Sequence, residues 1–293
     1  MQVKHRLPKR RRQGAYGALL AAAALLGGCS SGALTAVGVP ESEDALYATS
    51  PANIASLTDV VQRNPEDPQA FNMRGAVFGQ AGRYKEALAD FNKAISIDPK
   101  YAQAYSNRGL VHRQTGQLDL AIADYNRAIA IDSNYAAAYL GRGVVNRQRG
   151  QMLPALNDFN RAIAIRPDNG KAYYNRGLLY QNQRQHQFAI DDFTTAIGLS
   201  PLQAEPYIAR GLSYLAVNDL KSAASDLDEA VQLEPNNIHG WVSRGLAYER
   251  LGDKNKAAGS YAKAMNIRND YEPARLGFLR VGGQFGRAYQ TFN

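Results

Sequence analysis

The sequence predicts an all-α solenoid of stacked helix-turn-helix units, and three observations carry that prediction. Six glycines, Gly75, Gly109, Gly143, Gly177, Gly211 and Gly245, stand 34 residues apart without a slip. Each follows an arginine (Arg74, Arg108, Arg142, Arg176, Arg210, Arg244) and has an aromatic four residues before it (Phe71, Tyr105, Tyr139, Tyr173, Tyr207, Trp241). Alanines recur twelve and nineteen residues after each glycine, from Ala87 and Ala94 to Ala257 and Ala264. A fixed period of this length marks an array in which each unit stacks on its neighbours. Six units of 34 residues fill Pro68 to Tyr271 with no insertion or deletion.

Residues 1–28 have the three-part layout of a secretory signal. A basic region ends at Arg12, and a twelve-residue apolar stretch follows from Ala15 to Leu26. That is too short for a membrane-spanning helix, which needs roughly twenty residues. Leu26-Gly27-Gly28-Cys29 comes next and holds the only cysteine. This run resembles the lipobox of bacterial lipoproteins, which implies cleavage after Gly28 and a covalent lipid on Cys29, whose thiol is the nucleophile. Ser30 after the cysteine, rather than aspartate, implies by the same resemblance a lipid anchor on the periplasmic side of the outer membrane. An ordinary signal peptide with an incidental cysteine, or an arginine-rich cytoplasmic tail, is the plainer alternative. Residues 29–50 are small, polar and aperiodic and read as a flexible tether. Residues 51–67 carry a second-helix pattern, Ala52–Arg63, that reads as a degenerate half repeat. Residues 272–293 read as a capping helix, Pro273–Val281, and a tail from Gly282 that frays.

Inside each unit, apolar residues at three- and four-residue intervals predict two amphipathic helices, in the second unit over about 102–115 and 118–131. Small residues at the crossing let the pair approach closely, and the aromatics fill the gaps. Gly82, Gly116, Gly150 and Gly252 stand where the first helix ends in a left-handed residue, and Asn218 can serve there too. Pro99, Pro167, Pro201 and Pro235 close units. This order of aromatic, glycine, alanine and proline resembles the tetratricopeptide repeat, and the resemblance implies a right-handed solenoid without catalysis of its own. His112 and Asn146 occupy the slot of Phe78, Tyr180, Tyr214 and Tyr248, which predicts looser packing in units two and three. Arg184 replaces the inter-helix glycine of unit four, which puts that turn in question.

Charge and composition exclude several classes. The net charge is +8, but six bases and no acid lie in residues 1–28, so 28 of the 34 bases face 26 acids from Cys29 onward. Little basic excess remains for nucleic acid. One cysteine excludes a disulfide framework and a cysteine-rich zinc site. His5, His112, His186 and His239 have no carboxylate or cysteine at ligand or triad spacing, so no metal, catalytic residue or cofactor beyond the lipid on Cys29 is expected. The seventeen tyrosines fall mostly in core slots. Asp90, Asp124, Asp158, Asp192 and Asp226 stand sixteen residues after the repeat arginines, with Ser260 in unit six. This predicts a ladder of ion pairs, each contributing about 0–1 kcal/mol if exposed; a functional basic stripe is the alternative.

In tetratricopeptide arrays the first helix of each unit lines a concave groove, through positions three before and one, four and five after the glycine. By that resemblance the groove takes Asn72, Ala76, Gly79 and Gln80 from unit one and Ser106, Leu110, Arg113 and Gln114 from unit two. Unit three supplies Leu140, Val144, Arg147 and Gln148, and unit four Tyr174, Leu178, Gln181 and Asn182. Ile208, Leu212 and Leu215 come from unit five, and Val242, Leu246, Glu249 and Arg250 from unit six. An apolar rail (Leu110, Val144, Leu178, Leu212, Leu246) thus runs beside amides and two arginines. That combination suits an extended peptide, whose backbone needs hydrogen bonds while its side chains fill pockets. The alternative is that the leucines merely complete helix packing. The lysine and asparagine set by which chaperone-binding members clamp a terminal carboxylate is not reproduced. Lipid plus repeats is similar in plan to NlpI-like lipoproteins, which dock peptidoglycan hydrolases and a protease. The likeness implies a membrane-anchored periplasmic scaffold for cell-envelope proteins. The alternative is a pilotin-like assembly factor for a secretin or pilus system. Expected partners are proteins or peptides and, through the lipid, the membrane; no nucleic acid is expected, and the oligomeric state is not specified.

Overall fold

Fourteen helices follow one another through residues 47–289, the part of the chain that the computed structural model describes, with no strand among them. The expected signal peptide, Cys29 and the tether up to residue 46 lie outside the described residues. Helix α1 (Pro51–Arg63) stands alone in front. Six pairs follow: α2 (Pro68–Gln80) with α3 (Tyr84–Ile97), α4 (Ala102–Gln114) with α5 (Leu118–Ile131), and α6 (Ala136–Gln148) with α7 (Met152–Ile165). Then come α8 (Gly170–Asn182) with α9 (His186–Leu199), α10 (Ala204–Ala216) with α11 (Leu220–Leu233), and α12 (Ile238–Leu251) with α13 (Lys254–Ile267). Helix α14 (Glu272–Arg280) closes the array. Ser50, read from sequence as the end of the tether, instead caps α1, its Oγ accepting from the Asn53 N–H at 3.2 Å.

Each helix packs on the one before and the one after it. The first helices of neighbouring units also touch, from α2 with α4 to α12 with α14, whereas no two second helices do so to the same extent. Closer spacing among the first helices puts them on the inside of the curve. The core is periodic in the same way. Ala87, Ala121, Ala155, Ala189, Ala223 and Ala257 are wholly buried, and four residues on Phe91, Tyr125, Phe159, Phe193, Leu227 and Tyr261 fill the space under the repeat glycine. A Cβ on Gly75, Gly143, Gly177, Gly211 or Gly245 would come within 2.6 to 2.9 Å of that side chain, so only glycine permits this approach.

The arginine–aspartate ladder forms, but not as the exposed pairs that the sequence suggested. Arg74 meets Asp90 in a two-pronged fork at 2.8 and 2.7 Å, and Arg108 meets Asp124 at 2.9 and 2.6 Å. The fork recurs at Arg142–Asp158 (3.0 and 2.6 Å) and at Arg176–Asp192 and Arg210–Asp226 (2.7 and 2.8 Å in each). All five aspartates are buried, which raises the cost of breaking any one pair well above the exposed-pair figure. The remaining guanidinium nitrogen reaches back sixteen residues into the preceding unit. Arg108 donates to Asn92 at 2.7 Å, Arg142 to Asn126 at 2.6 Å, Arg176 to Asn160 at 2.7 Å and Arg210 to Thr194 at 2.9 Å. In unit six the acid changes sides: Arg244 donates to Asp228, sixteen residues before it, and to Ser260, sixteen after, both at 2.6 Å. Each arginine therefore ties three helices together across a unit boundary.

These tethers explain the two odd slots. Arg74, Arg176, Arg210 and Arg244 each lie near two rings, three before and four after, at 4.8 to 5.9 Å from the centroids. In units two and three the second ring is exchanged for a polar group facing the aspartate. Asn146 donates to Asp158 at 3.0 Å, and His112 Nε2 stands 3.7 Å from Asp124. The expected looser packing is absent, since the adjacent Val111 and Val145 are buried.

The turns also hold. Gly82, Gly116, Gly150 and Gly252 have φ between +72° and +85°, Asn218 has +64° and Arg184 has +59°. A side chain at this backbone geometry costs about 1–2 kcal/mol, and exposed Arg184 has no visible contact that offsets it. Arg184→Gly is therefore expected to raise stability by about 1 kcal/mol, read as a higher urea midpoint; an unchanged or lower midpoint would count against a strained turn. The tail, expected to fray from Gly282, lies back towards α14 as far as Tyr289. Phe285 and Tyr289 pack on Phe278 at 5.2 and 5.6 Å, and the Gly283 N–H closes α14 onto the Phe278 carbonyl at 2.8 Å. Tyr289 is half-buried there, whereas Phe285 remains 71 % exposed.

Candidate functional site

The inner helix layer presents a continuous strip drawn from successive first helices. Leu110, Leu140, Val144, Tyr174, Leu178, Ile208 and Val242 are half-buried, and Leu212 is 38 % exposed. Arg113, Gln114, Arg147 and Gln181 are half-buried and Gln148 is exposed. The apolar members have two roles. Leu140 and Val144 pack against Phe159 and Leu179, Tyr174 and Leu178 against Phe193, and Ile208 and Val242 against the last core cluster, yet each keeps part of its surface open. Asn72, Gly79, Ser106 and Leu215 do not reach this face, because all four are buried. Asn72 accepts from Asn107 of the next first helix at 2.9 Å. Short side chains three before the glycine are covered by that neighbour, whereas Leu140, Tyr174 and Ile208 are long enough to emerge.

Several polar groups on the strip are already engaged. Gln181 donates to the Ala209 carbonyl and to Ser213 Oγ, both at 2.9 Å. Arg250 donates to the Leu215 carbonyl at 2.7 Å and to Asn218 at 2.9 Å. Glu249 accepts from Arg280 and from the Tyr261 hydroxyl, both at 2.8 Å; Arg280 is the main cause holding its carboxyl below the usual range.

Units two to four differ. Arg147 Nε is buried without a hydrogen-bond partner, and Nη2 reaches only Asn175 Oδ1 at 3.5 Å. Burial lowers its pKa, the Tyr174 phenol acts in the opposite sense, and Arg113 lowers it further. Arg113 lies beside Tyr125, whose hydroxyl is pushed up to about 12 by burial while Arg113 pulls it down. Burial also lowers Lys171, opposed by Glu205. Sequence reasoning found the two arginines but not Tyr125, Lys171, Asn175 or Glu205. Tyr125 had a signal: Gly141, sixteen residues on, leaves its ring a space in which a Cβ would sit 2.4 Å away.

His239 Nδ1 is 3.2 Å from the Tyr271 hydroxyl, and His186 Nδ1 is buried. Among the described residues no three His, Cys, Asp or Glu side chains converge on a metal position, and no helix is long and apolar enough to cross a membrane. The strip offers apolar patches, amides and fixed positive charge, the equipment of a binding surface.

Family models described as TPR repeat match residues 75–116, 110–150 and 145–183, and models described as tetratricopeptide repeat match 170–201 and 208–272. No curated protein matches the sequence. Among solved structures, the APC/C hetero-tetramer Cut9-Hcn1 is similar at a TM-score of 0.72 and 20 % identity, over 81 % of this chain and 47 % of that one. The chain thus spans less than half of that relative. Pseudomonas aeruginosa pilF gives 0.66 and 18 % identity over 75 % of this chain and 97 % of its own. These two likenesses concern the fold. YrrB, described as a TPR protein with an unusual peptide-binding site, gives 0.53 and 25 % identity over 64 % of this chain and 96 % of its own.

Proposed function

The chain belongs to the tetratricopeptide repeat family, and from that membership we propose that it is a membrane-anchored periplasmic scaffold whose inner groove binds peptide segments of cell-envelope proteins. Repeat arrays of this family serve in general as non-catalytic platforms for protein interaction, and no residue here is given a catalytic role. One observation carries the reading: the rail of Leu110, Val144, Leu178 and Leu212 stays partly open on the inner layer of four successive units while neighbouring glycines and alanines are sealed. YrrB, 25 % identical, is described by its peptide-binding site, which supports a peptide rather than a small-molecule ligand. The lipid on Cys29 would confine bound partners to the membrane surface and raise their effective concentration there. Peptidoglycan hydrolases or proteases are the partners of first choice. A pilotin-like role in secretin or pilus assembly is the second reading, favoured by the fold shared with pilF over 75 % of this chain.

The test is crosslinking and mass spectrometry on intact envelopes, comparing the natural chain with Leu178→Asp. A partner captured only by the natural chain is expected, and its identity separates hydrolase docking from secretin assembly. Capture that survives Leu178→Asp would move the site off the groove. In the same cells, inhibiting lipoprotein signal peptidase is expected to leave a slower-migrating precursor; unchanged migration would remove the anchor from the proposal.

A further inference from the structure

The arginines on the first helices of the six units fall into two groups. The six repeat arginines each meet a carboxylate, as Arg280 of α14 also does, and Arg250 spends its donors on a carbonyl and an amide. Among the described residues Arg113 on α4 and Arg147 on α6 meet no carboxylate: Arg113 lies against the Tyr125 hydroxyl, and Arg147 reaches only Asn175. Their surroundings do not neutralise them either. Tyr125, Tyr174 and Asn175 are neutral, and the two acids that register in this part of the groove are directed elsewhere: Asp124, which acts on Tyr125, is held by the Arg108 fork, and Glu205 acts on Lys171 and Tyr174. Arg113 and Arg147 stand at the same register on neighbouring first helices that touch, Arg147 has a buried donor without a partner, and both like charge and the missing bond cost stability. An arrangement that costs stability in the free protein, on an open binding face, is what an anion would relieve.

We infer that Arg113 and Arg147 form an anion subsite in the groove that takes the carboxylate of an aspartate or glutamate side chain from an extended peptide partner. The inference rests on the groove being the binding face. Planar guanidinium forks match a carboxylate with paired, charge-assisted hydrogen bonds. The apolar rail runs alongside the pair, Leu110 one turn before Arg113 and Val144 one turn before Arg147, and continues past it to Leu178 and Leu212, so the ligand chain runs through. Its anion is then a side chain flanked by apolar residues rather than a terminal carboxylate.

The probe is a positional-scanning library of extended peptides, in amidated and free-carboxylate forms, panned on the immobilised full chain. The natural chain is expected to enrich aspartate and glutamate at one position at least fivefold over asparagine and glutamine, in the amidated library. Arg147→Gln and Arg113→Gln are expected to abolish that enrichment while apolar preferences at flanking positions persist, and Arg147→Lys to keep part of it. Thermal melting supplies the control against a structural role: without ligand, Arg147→Gln is expected to melt at the same or a higher temperature. Apolar selection with no acidic preference would overturn the subsite and leave the groove standing, whereas retention of no peptide at all would overturn both. Acidic preference that survives both glutamine variants, or that appears only with free carboxylates, would also overturn the subsite as drawn.

Discussion

Replacing Asp158 with alanine is expected to destabilise the array by on the order of 3 kcal/mol, because it breaks one side of a buried ion pair. Asp158 accepts from Arg142 at 3.0 and 2.6 Å and from Asn146 at 3.0 Å. Its side chain is 6 % exposed and that of Arg142 25 %, so the loss falls at the lower end for such pairs. After the substitution Arg142 would keep Asn126 at 2.6 Å, leaving most of its fork unanswered. Units two and three share these contacts, so loss of protection in hydrogen exchange should centre there rather than spread evenly along the solenoid. Arg142→Ala combined with Asp158→Ala is expected to cost much less than the sum of the single changes, and additive costs would refute the pairing. The exposed pair Arg166–Asp168 is the control, with side chains 54 % and 66 % exposed. Asp168→Ala should leave the urea midpoint where it was.

The same ladder marks how far the sequence could be read. The aspartates sixteen residues after each arginine were visible because both partners lie within one unit, whose hairpin brings them together. The partners sixteen residues before, Asn92, Asn126, Asn160, Thr194 and Asp228, stand at an equally regular spacing. Their meaning depends on how one unit sits on the next, which a period alone does not specify. That gap made Ser260 look like a missing rung, when Asp228 had taken over from the other side. The groove divides in the same way. Register assigns a residue to the inner layer, but whether it emerges depends on side-chain length against the neighbouring helix, so Tyr174 is open and Asn72 is covered. Helix ends were legible where chemistry dictates them, as at the left-handed Gly82, Gly116, Gly150 and Gly252. In the tail, the small residues conceal the two aromatics that lie against Phe278, a contact that no period announces.

Gly141→Ala is expected to destabilise the protein by about 1–3 kcal/mol, against the gain of up to about 1 kcal/mol that the exchange brings in an unhindered helix. The new Cβ would lie 2.4 Å from the Tyr125 ring and 2.7 Å from its hydroxyl, and the ring, 1 % exposed, is closely enclosed. A relation between units explains why glycine stands there. Where the core ring is tyrosine, it meets a residue sixteen positions later on the next first helix. Tyr125 meets Gly141 and Tyr261 meets Gly277, each with a Cβ position 2.4 Å from the ring. Where the ring is phenylalanine, the corresponding residue carries a side chain: Phe91 is followed by Asn107, Phe159 by Asn175 and Phe193 by Ala209. Tyrosine needs the extra space for its hydroxyl, which at Tyr261 continues to Glu249 at 2.8 Å and at Tyr125 comes to lie beside Arg113. Tyr125→Phe with Gly141→Ala recreates the Phe193–Ala209 combination, which packs in one buried cluster with Ala189. The double variant should therefore recover most of the stability lost by Gly141→Ala alone, measured by urea unfolding. It should also lose the Tyr125 hydroxyl beside Arg113 without opening the core, so groove binding can be compared in a folded protein. If the two changes prove additive, the glycine serves some need other than the tyrosine, and the sixteen-residue rule between units fails.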